Sequence, residues 1–279
     1  MSSEGASRET STSKETSTLY DELLALAIST AHAAGDFARD GRETALDVQT
    51  KSSSVDVVTV MDTATETLIT QAILAARPGD AILGEEGAAV VGTSGVRWIV
   101  DPIDGTVNYL YRIPAWSVSI AAELDGRMVA GVVYNPVLRE TFAASLGGGA
   151  FCNGARLACS TETDLAQTLL ATGFGYDSGR RARQGALVAQ VLPRVRDIRR
   201  FGSAALDLCA VAAGRVDAYF ERGLNPWDMA AGELIAREAG ARIEGLGGVP
   251  ASTELTIAAP PGLFDALHDL LAPLDPAEG

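Results

Sequence analysis

Four segments typical of β-strands follow one another between residues 81 and 135, and this run constrains the fold more than any other feature of the sequence. In order they are "AILGEEG", "RWIVD", "AWSVSIAAEL" and "RMVAGVVYN". Apolar residues alternate with small polar ones in the third segment, as in a strand that buries one face. The "DGR" between the third and fourth segments indicates a hairpin. We therefore predict a first sheet region that ends near the glycines at 147–149.

Helical patterns lie on both sides of this run of strands. Apolar residues recur at helical spacing over 19–40, and a second helix is predicted to start at Asp62, with this carboxylate as its N-cap. Beyond about residue 160, helical and strand patterns alternate. The simplest arrangement is an α+β fold of two packed halves, 19–160 and 161–279.

Composition disfavours several classes of protein. The 279 residues include no run near 18 consecutive apolar residues, so neither a membrane span nor a membrane partner is predicted. A net charge of −14 repels phosphate backbones and disfavours nucleic acid as a partner. The three cysteines lack CxxC spacing, which indicates a reduced, cytoplasmic protein without a disulfide framework or zinc site. Residues 1–18, rich in Ser, Thr and Glu, predict a disordered tail and not a signal peptide.

The segment "WIVDPIDGTVNY" places two carboxylates at the end of a buried strand, where like charges repel. Asp101 and Asp104 flank Pro102, which forces a turn and frees the carbonyl of Ile103. Carboxylate and carbonyl oxygens are hard ligands that suit Mg²⁺. The Gly105 and Thr106 that follow can open a short helix whose free amides favour phosphate.

Other acidic residues occupy similar places. Glu85 and Glu86 follow an apolar strand segment, and Asp228 lies at the start of an apolar helix beside Trp227. Each of these residues has a purely structural alternative, because Asp-Pro and Asp-Gly are ordinary turn pairs and acidic residues favour helix starts. Taken together, carboxylates at the ends of several apolar strands and helices favour a divalent metal site.

Three segments, "GEEG", "WIVDPIDGTVNY" and "NPWDMAAGELIAREAGARI", resemble in this order the signature segments of the inositol monophosphatase family. The resemblance runs from about residue 20 to 272, and "RRFGSAALDLC" most resembles the bacterial inositol-1-monophosphatases. It implies Mg²⁺-dependent, lithium-sensitive phosphomonoesterase activity and a homodimer. The implied fold is a layered αβαβα sandwich of the sugar-phosphatase type. In it, an antiparallel N-terminal sheet joins a mixed C-terminal sheet with helices.

The resemblance also implies roles for particular residues. The N-terminal half would bind metal and phosphate, and the C-terminal half would complete the active site. Two to three Mg²⁺ ions per site would be held by Glu85, Asp101, the Ile103 carbonyl, Asp104 and Asp228, with Glu85 also near the third, weaker ion. Asp62 and Thr106 match the pair that activates the attacking water, so the residues matching catalytic positions are Asp62, Thr106 and Glu85. The substrate would be bound by Asp104, Gly105, Thr106, Ala204 and Glu221.

One loop departs from the pattern of the family. Lys51 matches a residue of the family's mobile loop near the site, but Ser54 stands where the loop commonly has Pro. This difference puts the stiffness of the loop in doubt and leaves the chemistry unaffected.

The sequence is compatible with several phosphate esters as the substrate. Inositol 1-phosphate or a related small polyol phosphate is the expected substrate, and Glu221 favours a polyhydroxylated leaving group because a carboxylate accepts hydrogen bonds from hydroxyls. Members of the same superfamily act on histidinol phosphate, fructose 1,6-bisphosphate or 3′-phosphoadenosine 5′-phosphate. A regulatory binding protein with little turnover is the alternative from another functional class.

Overall fold

The computed structural model describes residues 4–42, 48–50 and 57–276. Within them lie seven α-helices, none long and apolar enough to cross a membrane. The helices are α1 (Glu4–Gly41), α2 (Val60–Ala76), α3 (Thr106–Leu110), α4 (Ser178–Val191), α5 (Ala204–Ala212), α6 (Pro226–Glu238) and α7 (Pro261–Leu271). The strands are β1 (Val48–Thr50), β2 (Val57–Thr59), β3 (Ala81–Gly84), β4 (Ala89–Val90), β5 (Val96–Asp104), β6 (Ser117–Leu124), β7 (Arg127–Asn135), β8 (Glu140–Ser145), β9 (Gly149–Cys152), β10 (Ala155–Arg156), β11 (Leu169–Thr172), β12 (Asp197–Arg199), β13 (Ala218–Glu221), β14 (Arg242–Glu244) and β15 (Thr256–Ala259).

The first helix is longer than its apolar pattern predicts. α1 begins at Glu4, so residues 4–18 are helical where their composition predicts a disordered tail. Extending an existing helix adds a hydrogen bond for each residue without a new nucleation cost, and this stretch contains no proline. The division of the chain into two halves near residue 160 stays a prediction.

The first sheet has eight strands in the order β10-β9-β8-β7-β6-β5-β3-β4. Its pairs are antiparallel, as the resemblance implies, except that β3 runs parallel to β5 with Gly84 opposite Val100. Because the carboxyl ends of parallel strands lie at the same edge of a sheet, the residues that follow, Glu85 and Asp101, reach the same place. The parallel pair therefore brings two of the predicted site carboxylates together.

Helices cover both faces of this sheet. On the outer face, Leu23 and Ala27 of α1 and Ile69 of α2 pack with Trp98 and Val132 of the sheet in one buried cluster. The inner face is covered by α5 and α6. Small residues allow the layers to approach closely: a Cβ on Gly131 in β7 would lie 3.1 Å from the Cα of Ala231 in α6.

The second sheet completes a five-layer sandwich. Its five strands follow the order β12-β11-β13-β15-β14. β11 runs parallel to both of its neighbours, and β15 runs antiparallel to both of its neighbours. α5 and α6 lie between the two sheets, where they bury a continuous apolar cluster. α4 and α7 cover the far face of the second sheet, where Leu187 and Leu267 pack with Phe220. The αβαβα layering and the mixed second sheet are confirmed.

Candidate active site

Three carboxylates meet at the end of β5. Asp101, Asp104 and Asp228 each offer an oxygen, and these three oxygens all lie within 4.8 Å of one another. Asp101 and Asp104 are three positions apart, a spacing that points two side chains to opposite faces of a regular strand. The turn predicted at Pro102 is wrong, because β5 continues through Pro102 to Asp104. The strand contains a bulge instead: Asp101 lies opposite Ser119 and Asp104 opposite Ser117 of β6, so three steps along β5 match two steps along β6. The extra residue brings both carboxylates to the same side.

The electrostatics of this cluster are unfavourable without a cation. Burial raises the pKa of Asp101 well above its usual range, and the neighbouring Glu85, Asp104 and Asp228 raise it further. Burial also raises the pKa of Asp228 to about 7, with a further contribution from Asp104. Carboxylates that repel one another in a low-dielectric site are suitable ligands for a hard divalent ion, because its positive charge offsets their repulsion. The residues present therefore fit a metal site.

Asp104 is held in place by the start of α5. Its Oδ2 accepts hydrogen bonds from the Ser203 hydroxyl at 2.5 Å and from the Ala205 amide at 2.8 Å. Burial raises the pKa of Asp104 to about 6, and these hydrogen bonds oppose the rise. Ser203 also caps α5 by accepting from the Leu206 amide. Sequence reasoning missed Ser203, although a serine before a helix of small residues is an ordinary N-cap pattern.

Asp62 and Thr106 approach each other beside the cluster. The Thr106 hydroxyl lies 3.4 Å from Asp62 Oδ1 and 3.1 Å from the Ile103 carbonyl, so its one hydrogen faces two acceptors. The prediction that Asp62 caps α2 is wrong, because the helix begins at Val60 and places Asp62 in its first turn. The Asp62 side chain is buried, with 1% of its surface exposed, and contributes to the raised pKa of Asp101.

The three clustered carboxylates and Thr106 line a cavity of about 350 Å³, and Asp62 is not among its lining residues. Glu85 lines it, although Glu85 does not belong to the group of three carboxylates within 4.8 Å. The lining also includes predicted site residues around the cavity and three arginines: Ile103, Gly105, Thr106, Ala204, Glu221, Arg180, Arg200 and Arg222. The cavity therefore combines acidic metal-ligand candidates with cationic groups. Lys51 and Ser54 lie outside the described residues.

Glu221 reaches the cavity from the end of β13. Its Oε2 accepts a hydrogen bond of 2.6 Å from the hydroxyl of the fully buried Tyr219. Burial raises the pKa of Glu221 to about 7, and this hydrogen bond opposes the rise. Gly173 lies against the same carboxylate, and a Cβ at this position would overlap it. A glycine is therefore required for Glu221 to adopt its present orientation.

Asp207 is a buried acidic residue that sequence reasoning missed. It lies in α5 with 1% of its surface exposed, and its Oδ1 has no hydrogen-bond partner. Burial raises its pKa well above the usual range, and Glu221 and Asp104 raise it further. Its sequence context offered a signal, because it is the single charged residue of "GSAALDLCAVAAG".

Known proteins resemble this chain over most of its length. A family model described as the inositol monophosphatase family matches residues 19–274. The chain is 50% identical over 231 residues to the inositol-1-monophosphatase of Mycobacterium leprae, and the match covers 79% of each protein. It is 45% identical over 226 residues to the Nus factor SuhB of Escherichia coli K12, covering 78% of this chain and 83% of that protein.

A solved structure extends the similarity to the fold. Mycobacterium tuberculosis SuhB aligns with a TM-score of 0.80 and 44% sequence identity, covering 92% of this chain and 98% of that chain. The match to the family model, the identity to its curated relatives and the common fold lead to one conclusion. The chain belongs to the inositol monophosphatase family.

Proposed function

We propose that this protein is a Mg²⁺-dependent phosphomonoesterase that hydrolyses inositol 1-phosphate. The observation that carries the proposal is the convergence of Asp101, Asp104 and Asp228 on a cavity that Glu85 and Thr106 also line. The 50% identity to the inositol-1-monophosphatase of Mycobacterium leprae supports the choice of substrate.

Two to three Mg²⁺ ions would be held by this chain's oxygen ligands. One ion would bind Glu85, Asp101 and the Ile103 carbonyl, and a second would bind Asp101, Asp104 and Asp228. A third, weaker ion would lie near Glu85. When bound, Mg²⁺ supplies positive charge that offsets the negative charge developing on the phosphoryl and leaving oxygens. Hard carboxylate and carbonyl oxygens support Mg²⁺ over zinc or copper.

The protein's own groups would orient the reactants and move one proton. The Thr106 hydroxyl would take a proton from the attacking water and pass its own proton to Asp62, its neighbour at 3.4 Å. The amides of Gly105 and Thr106 would bind the phosphate. Ala204 and Glu221, which also line the cavity, would contact the hydroxyls of the leaving group.

We expect Gly173→Ala to weaken the binding of inositol 1-phosphate, because the added methyl would displace the Glu221 carboxylate. KM should rise about 10-fold, as for the loss of one hydrogen bond to a charged group. KM for phenyl phosphate, whose phenyl leaving group carries no additional hydroxyls, should change little. Gly185→Ala is the matched control, since a Cβ at this exposed helical position meets no atom within 4 Å. An unchanged KM for inositol 1-phosphate would remove the support for Glu221 as a substrate contact.

The proposal is tested by phosphate release from a panel of polyol, nucleotide and amino-alcohol phosphates. We expect preference for inositol 1-phosphate over histidinol phosphate, fructose 1,6-bisphosphate and 3′-phosphoadenosine 5′-phosphate. Activity should be lost in EDTA, return with added Mg²⁺ and fall with Li⁺. Equal turnover of the whole panel would contradict the substrate assignment, and full activity in EDTA would contradict the metal dependence.

The identity with the protein named Nus factor SuhB supports a second candidate, a regulatory role that involves binding another protein. Absence of phosphate release from the whole panel in saturating Mg²⁺ would favour this candidate. A homodimer and a cytoplasmic location, both implied at the level of sequence, remain part of the proposal. Sedimentation of the purified protein tests the dimer directly.

A further inference from the structure

A second carboxylate on α2 lies one helical turn after Asp62. Residues four apart share one face of a helix, so Glu66 and Asp62 point in the same general direction. Glu66 is buried, with 5% of its surface exposed. Its Oε2 accepts a hydrogen bond of 2.8 Å from the Glu86 amide, and its Oε1 accepts one of 2.8 Å from the Ala88 amide. Each oxygen thus binds the main chain of the turn that contains Glu85.

The turn between β3 and β4 is fixed on both sides of Glu85. The Gly84 amide donates to the Ala88 carbonyl at 2.7 Å, and the Glu85 amide donates to the Val100 carbonyl at 3.2 Å. Gly84 also lies directly against Glu66, where a Cβ would overlap the carboxylate. The main chain therefore approaches Glu66 as closely as a glycine allows, and the next residue is Glu85.

We propose that Glu66 is a positioning residue that fixes this turn so that Glu85 faces Asp101. The inference rests on the proposed function, in which Glu85 is a metal ligand. Hydrogen bonds from two amides to one buried carboxylate fix both the position and the rotation of the turn. Glu66 itself contacts neither substrate nor metal and acts through Glu85. A merely structural Glu66 would affect folding and leave metal affinity unchanged.

The test is Glu66→Gln, which keeps the shape of the side chain. The glutamine oxygen can accept from one amide, but its NH₂ group would face the other donor. The Mg²⁺ concentration for half-maximal activity should rise about 10-fold, as for other residues that support a metal ligand. Activity at saturating Mg²⁺ should stay within about twofold of the wild type. Calorimetric titration of the substrate-free protein with Mg²⁺ should show the same loss of affinity.

Glu238→Gln is the matched control. Glu238 lies at the far end of α6 and accepts from the amides of Gly147 and Gly149 at 2.8 and 2.9 Å, so it also binds a turn through two amides. It is not among the described residues that line the cavity. This substitution should lower the unfolding temperature and leave Mg²⁺ affinity unchanged.

Gly84→Ala provides an independent approach to the same contact, because its methyl would push the turn away from Glu66. It should reproduce the weaker Mg²⁺ binding, and it decides the question if Glu66→Gln does not fold. Unchanged Mg²⁺ affinity in a folded Glu66→Gln protein would overturn the inference, as would an equal loss in Glu238→Gln. A wild-type protein that shows no Mg²⁺-dependent phosphate release would instead overturn the proposed function.

Discussion

Asp104→Asn should lower kcat/KM by at least about 100-fold while leaving the fold intact, since even residues that only support a metal ligand contribute 10- to 100-fold. The hydrogen bonds of Asp104 explain both the loss of activity and the intact fold. Oδ2 accepts from Ser203 and from the Ala205 amide, so the asparagine must place its carbonyl oxygen there. Its NH₂ group then faces Asp101 and Asp228, where a cation would bind. The substitution preserves the contacts to α5 and replaces a metal ligand with a donor.

The stability of the variant should change in the opposite direction from its activity. Removing one negative charge relieves repulsion within the cluster, so the unfolding temperature in EDTA should rise. Stabilisation by added Mg²⁺ should disappear or fall sharply. Differential scanning calorimetry with and without Mg²⁺ measures both changes.

Asp217→Asn is the control for this prediction. Asp217 also accepts from a serine hydroxyl, that of Ser160 at 2.6 Å, and from a backbone amide, that of Leu169 at 2.8 Å. It is not among the described residues that line the cavity, so its replacement should leave kcat/KM unchanged. An Asp104→Asn protein with full activity would show that Asp104 is not a metal ligand.

The strands and the approximate place of the site could be predicted from the sequence because both depend on local patterns. The segment "AWSVSIAAEL" does form a strand, β6, but the prediction that it buries one face is wrong, because Ser117 and Ser119 are buried as well between the helices on both sides of the sheet. The Asp-Pro-Ile-Asp segment ends β5 in the structure. The bulge in β5 could not be predicted in this way, because a period of two assigns Asp101 and Asp104 to opposite faces. The parallel pairing of β3 with β5 is equally invisible to local patterns, yet it brings Glu85 beside Asp101.

Residues that support the site were missed because their partners are distant in the sequence. Ser203 binds Asp104 across 99 positions, and Glu66 binds the Glu86 amide across 20. Each residue has an ordinary local interpretation, Ser203 as a helix cap and Glu66 as a polar residue of an amphipathic helix. For Asp62 the local rule is wrong: it predicts a helix cap, and the structure places the Asp62 side chain beside Thr106. Local rules therefore identify candidate ligands better than they identify the groups that orient them.

The second large effect is expected when the metal is removed, because stability should then depend on pH in an unusual direction. Burial raises the folded-state pKa of Asp104 to about 6 and that of Asp228 to about 7, from a usual value of 3.8. From the unfolded-state pKa of 3.8 up to these folded-state values, the folded protein binds more protons than the unfolded chain, so stability falls as pH rises. In EDTA the unfolding temperature should therefore be higher at pH 5.5 than at pH 8.

Mg²⁺ should oppose this dependence on pH, because the bound cation replaces protons in neutralising the carboxylates. Protonated carboxylates do not bind metal, so stabilisation by Mg²⁺ should be large at pH 8 and small at pH 5.5. At 100 times its Kd a ligand adds about 2.7 kcal/mol, which corresponds to roughly 5 °C for a chain of this size. Thermal unfolding at both pH values, with Mg²⁺ and with EDTA, measures the four temperatures. Equal Mg²⁺ shifts at the two pH values, or a metal-free protein that is more stable at pH 8, would contradict an uncompensated acidic cluster. Asp104→Asn should flatten the dependence in EDTA, because one of the carboxyls that titrate in this range is then absent.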